Sequence, residues 1–79
     1  MRYYFHLRGA VEGQDDEGEI LADDKAARRE ATLLFAELLR DRPDDFWSVG
    51  GLEVTVTDAT GRRLAELVGA GRLLGSGPT

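Results

Sequence analysis

Only one stretch of the chain, Asp23 to Arg40, keeps a helical period. At 100° per residue Ala27, Ala31, Leu34, Phe35 and Leu38 fall on one side, spaced i, i+4, i+7, i+8 and i+11. The spacing predicts one amphipathic helix with one buried stripe. Asp23 is a suitable N-cap, Asp24 lies in the first turn, Arg40 and Arg42 lie at the far end, and Pro43 drives Arg42 out of the α region. A single helix cannot bury its own stripe, so the flanking segments must supply the surface beneath it.

Both flanks read as strands. In Arg2 to Arg8 the side chains alternate, with Tyr3, Phe5 and Leu7 on one face and Arg2, Tyr4, His6 and Arg8 on the other. Gly9 ends this strand. A long polar connection with a turn at Asp15-Asp16-Glu17-Gly18 leads to a short second strand, about Glu19 to Ala22. After Pro43, residues 44–51 have neither period and read as a loop in which Phe46 and Trp47 cap an open end of the core. Leu52 to Thr57 alternates cleanly, with Leu52, Val54 and Val56 inward. A turn at Asp58-Ala59-Thr60-Gly61 leads to a fourth strand over residues 62–68. There Leu64 and Val68 disagree in parity with Ala65 and Leu67, and the inward assignment goes to Ala65 and Leu67. Four glycines in residues 69–79 predict a flexible tail anchored by Leu73 and Leu74.

The expected architecture is α+β in two layers. A four-stranded antiparallel sheet (ββαββ, order 2-1-3-4) carries one helix on one face, in a single domain over residues 1–68. At 79 residues only ~60% of the unfolded chain's surface is buried, so there is room for one core. Cysteine is absent, which removes disulfides, thiolate metal sites and a cysteine nucleophile. No apolar run approaches ~18 residues and the chain opens on strand-like sequence, so a soluble cytoplasmic protein without membrane contact is expected.

The net charge of −5 is local. Residues 12–24 hold seven acids and no base, while the remainder holds ten bases and eight acids. The overall field does not draw the chain to duplex nucleic acid or an anionic membrane.

The opening Arg-Tyr-Tyr-Phe-His-Leu-Arg, the acidic turn Asp16-Glu17-Gly18-Glu19, the Ala-rich helix and Val56-Thr57-Asp58 followed by Gly61-Arg62 form a combined pattern. It resembles a family of small bacterial proteins, common in rhizobia and their relatives and known only as a domain of unknown function. The resemblance covers residues 2 to about 67. Glu66 and Gly69 depart from the family's more apolar ending. The resemblance implies a ββαββ fold and carries no activity with it.

The outer face of the first strand is the one surface with recognisable binding chemistry. Arg2, Tyr4, His6 and Arg8 project together, an aromatic between cations of the kind on which single-stranded nucleic acid stacks. The competing readings are a solvated face on which Glu53 pairs with an arginine across the strands, and a face that packs on a copy of itself. No catalytic residues are assigned: His6 is the only histidine, and Ser48 and Ser76 lie in a loop and in the tail. No metal site is expected, because the acidic run lacks the spacing of a calcium loop. No cofactor is expected either, since the strand-to-helix junction Ile20 to Asp24 has no glycine. Leu33 and Leu39 flank the helical stripe and are candidates for exposure.

The sequence therefore predicts a small non-catalytic interaction module. Its expected partner is itself or another protein, with homodimerisation through the open sheet face or an edge strand. The alternative is a weak single-stranded nucleic-acid binder working through Arg2, Tyr4, His6 and Arg8.

Overall fold

The computed structural model describes residues 1–75. The elements run β1 (Arg2–Gly9), β2 (Glu19–Ile20), α1 (Asp24–Asp41), α2 (Pro43–Val49), β3 (Gly51–Asp58) and β4 (Arg63–Ala70). The strands form one antiparallel sheet in the order β2-β1-β3-β4, as the short connections predict. Both helices contact the sheet.

Helix α1 begins where its cap predicts: the Asp23 carboxylate accepts the Ala26 N–H at 2.8 Å. Its stripe meets the sheet through Ala27 and Ala31, which are buried with Tyr3, Val54 and Val56, while Leu34 and Phe35 pack around them. Two alanines at the centre let the helix lie close to the strands. Each fully buried valine beneath contributes about 1.5–3 kcal/mol relative to exposure. Leu33 is exposed, whereas Leu39 is half-buried, so the stripe is wider on that side.

The loop expected at residues 44–51 is instead a second helix. Pro43 occupies its first turn, Asp44 and Asp45 complement the N-terminal dipole, and Gly50 ends it with φ 89° while donating to the Phe46 carbonyl at 2.7 Å. Two turns are too short to display a period, but the terminal signals are all present. Phe46 and Trp47 meet edge to face at 5.8 Å and lie against Gly71, where a Cβ would stand 2.8 Å from one ring and 2.9 Å from the other.

Two strand boundaries also move. β2 has only two residues and stops before Leu21, whereas β4 continues through Gly69 and Ala70, residues expected to begin the tail. Gly69 is a packing position: a Cβ there would stand 2.5 Å from Phe35 Cζ, so the missing side chain lets the ring of α1 rest on the strand. Residues 76–79 of the expected tail lie outside the described residues.

The parity conflict in β4 has a structural cause. Val54 faces Leu67 and Val56 faces Ala65, but Thr57 faces Arg63, which leaves Leu64 as the extra residue of a β-bulge. Ala65 and Leu67 point to the core, and the bulge lets Leu64 pack there as well.

Candidate functional site

β1 holds the four predicted residues on the sheet face away from the helices. Across the ladder Tyr4 faces Thr57, His6 faces Thr55 and Arg8 faces Glu53, while Arg2 faces Ile20 on the other side. Arg2 and Arg8 are exposed, and Tyr4 and His6 are half-buried. All four share the face, but each has a different local environment.

The acidic connection between β1 and β2 supplies that environment. It folds back along β1 and closes the edge that β2 is too short to reach. Leu7 and Gly13 exchange backbone hydrogen bonds at 2.8 and 3.1 Å, and the Asp15 carboxylate accepts the Phe5 N–H at 3.1 Å. The same carboxylate accepts the N–H groups of Glu17 and Gly18 at 3.1 and 3.0 Å. Burial alone would raise the pKa of Asp15, but these three backbone donors and the nearby His6 outweigh it and hold the carboxyl below its ordinary range.

His6 is fixed at both nitrogens. Nδ1 accepts the Asp15 N–H at 3.2 Å, and in the tautomer that this contact selects Nε2 donates to Thr57 Oγ1 at 3.2 Å. Arg2 Nη1 donates to the Glu17 carbonyl at 2.6 Å. Gly18, at φ 73°, closes on the stem of Arg2 and the ring of Tyr4, each 2.9 Å from where a Cβ would stand. Glu12 accepts the Gly9 N–H at 2.7 Å and lines, with His6, Arg8, Gln14 and Thr55, a shallow recess of about 440 Å³.

This arrangement differs from a nucleic-acid platform in two respects. One edge of Tyr4 is covered by Gly18, and the cations share their face with the carboxylate-rich connection. Glu53 sits opposite Arg8 in register, yet the two form no ion pair among the described residues. The role of Asp15 as organiser of this face was not singled out by sequence reasoning. Its signal was the three-residue spacing to Gly18, which marks an acid able to cap its own turn.

A second polar cluster lies where β3 turns into β4, beside the start of β1. The Asp58 carboxylate accepts the Thr60 hydroxyl at 2.6 Å, the backbone N–H groups of Thr60 and Arg62, and Arg62 Nε at 3.0 Å. Hydrogen bonding to Thr60 and Arg62 holds its pKa down to about 2. Arg62 Nη2 reaches Asp24 at 3.1 Å, and Asp24 accepts the buried Tyr3 hydroxyl at 2.8 Å. Burial and the Asp24 carboxylate push the Tyr3 phenol up, and the Tyr3 and Arg62 donors hold Asp24 below the usual range. The cluster ties the β3–β4 turn to the start of α1 and to β1.

No group of three or more His, Asp or Glu side chains able to hold a metal ion forms among the described residues. No helix of the described residues is long and apolar enough to cross a membrane. Comparison with curated proteins and with solved structures gives no match. Residues 2–69 do match a family over most of the chain's length, and the protein belongs to the family described as a domain of unknown function (DUF6894).

Proposed function

We propose that this protein is a non-catalytic interaction module, acting through sheet surfaces that its own helices leave uncovered. A second copy is the first partner to consider. The observation that carries this reading is the asymmetry of the sheet. Its core face is covered by helix, its outer face carries no helix, and the β1 side is closed by the chain's own acidic connection while β4 ends the other side with no neighbour among the described residues. The half-buried outer-face residues Tyr4 and His6 already have intramolecular neighbours or partners, which favours a protein surface over a nucleotide base in this region.

The test is molar mass in solution by light scattering, over a wide concentration range and at two salt concentrations. Reversible dimerisation is expected. Tyr4→Asp then probes the open face and Val68→Pro probes the β4 edge. A strict monomer at every concentration would overturn self-association, and a titration with mixed-sequence single strands, repeated with Arg8→Ala, would decide for the nucleic-acid alternative.

A further inference from the structure

Among the described residues β4 is the one long strand with a free side. Gly71 N–H donates to the Gly50 carbonyl at 3.1 Å, continuing the β3–β4 ladder, so by alternation Ala65, Leu67 and Gly69 also turn their backbone groups towards β3. Glu66, Val68, Ala70 and Arg72 therefore aim their N–H and C=O groups at the unpaired edge. On the core side of that edge lies a groove of about 150 Å³ between α1 and β4, with Ala31, Val56, Ala65 and Leu67 as its apolar lining and Arg28 at its lip. Just beyond the strand, Leu73 and Leu74 are 70% and 84% exposed, and Arg72 makes no ion pair among the described residues.

These features fit one another in a second copy of the chain. We infer that two copies pair β4 to β4, antiparallel and centred on Gly69, with residues 71–73 extending each strand, so that the four-stranded sheets join into one. This inference rests on the interaction-module reading and names its partner and its register. In that register Glu66 faces Arg72 of the second copy, Val68 faces Ala70, Leu67 faces Gly71 and Ala65 faces Leu73. Two opposite-charge contacts form on the outer face, where Glu66 also holds Arg63 of its own chain, and each Leu73 enters the other copy's groove beside Ala65 and Leu67. Gly69 lies on the two-fold axis, where the lack of a side chain already accommodates Phe35 and leaves room for the second copy's ring.

Neighbouring registers do less well. Centring on Glu66 opposes that carboxylate to itself, and centring on Leu67 or Val68 separates Glu66 from Arg72 and leaves Leu73 outside the groove. Of these registers, the one centred on Gly69 uses the charges, the groove and the exposed leucine together.

The experiment is sedimentation equilibrium on the full chain and on charge-exchange variants. Glu66→Arg and Arg72→Glu should each weaken dimerisation by about tenfold, because each opposes two like-charge pairs. The double variant E66R/R72E should return to within about threefold of the parent, and an equimolar mixture of the two single variants should form heterodimers. Val68→Pro removes an outward N–H that the ladder to β3 does not use, so it should abolish the dimer while circular dichroism stays that of the folded monomer.

A double variant no better than its singles would overturn the register. A dimer dissolved by Tyr4→Asp but untouched by the charge exchanges and by Val68→Pro would overturn this inference and leave the module reading standing through the open face. A parent chain that is monomeric at every concentration would overturn the inference and, with it, the self-association reading.

Discussion

The Tyr3 hydroxyl donates to Asp24 across 2.8 Å, joining the fully buried aromatic of β1 to the first turn of α1. Tyr3 is thus both a core residue and a polar link, and Asp24 serves the helix dipole, the tyrosine and Arg62 at once. Tyr3→Phe keeps the ring but removes the donor. Its thermal midpoint should fall by about 5 °C, with the fold preserved, as read by thermal circular dichroism.

Asp58 sets the acid limit of the same cluster. Its folded pKa of about 2 lies below the ordinary carboxylate value of about 4. The sign follows from linkage: the contribution is fully present above pH ~4 and is lost as the pH falls towards 2. Asp24 is shifted in the same direction. Urea midpoints measured between pH 2 and 7 should drop across this window. Asp58→Asn should begin lower at pH 7 and show a shallower decline.

Gly69→Ala should destabilise the fold by about 1–3 kcal/mol, because the new Cβ would stand 2.5 Å from Phe35 Cζ. The double variant with Phe35→Leu should recover part of that loss in urea denaturation. Equal losses in the single and double variants would show that the ring is not the obstacle.

Asp15→Ala should release the acidic connection without unfolding the sheet. Three backbone N–H groups lose their acceptor, and the Phe5 amide becomes an open donor on the β1 edge. Hydrogen exchange at Phe5 and Gly18 should accelerate by about tenfold or more, while Val54 and Val56 in the core keep their protection. Because the Asp15 carboxyl is held below its ordinary range, the parent chain should reach the same pattern only when acidified past the ordinary carboxylate range.

Most of the frame was legible from two periods. Alternation in residues 2–8 and 52–57 assigned both central strands and their inward faces, and the stripe from Ala27 to Leu38 assigned the helix that covers them. The conflict between Leu64 and Ala65 was the trace of a bulge, which a strict period of two cannot express. Helix α2 escaped because seven residues carry too little period, although Pro43 and Gly50 marked its ends. At the candidate face, the four outward residues of β1 could be grouped from sequence. Their partners could not, since Asp15 acts on His6 and Phe5 through backbone groups brought together by the folded connection. Gly69 was misleading for a related reason: a glycine that receives a ring from elsewhere in the fold has the same local sequence as one that begins a flexible segment.

The connection spanning residues 10–18 also bears on how far the proposed edge pairing could proceed. A sheet with two long open sides can add copies indefinitely, whereas this one seals the β1 side through Leu7, Gly13 and Asp15, beyond the two-residue β2. Under the proposed β4 pairing, each copy would use the single long open side found among the described residues, and growth would terminate there. Under that pairing the chain's own acidic segment would act as a stop against filaments and keep the assembly finite and closed.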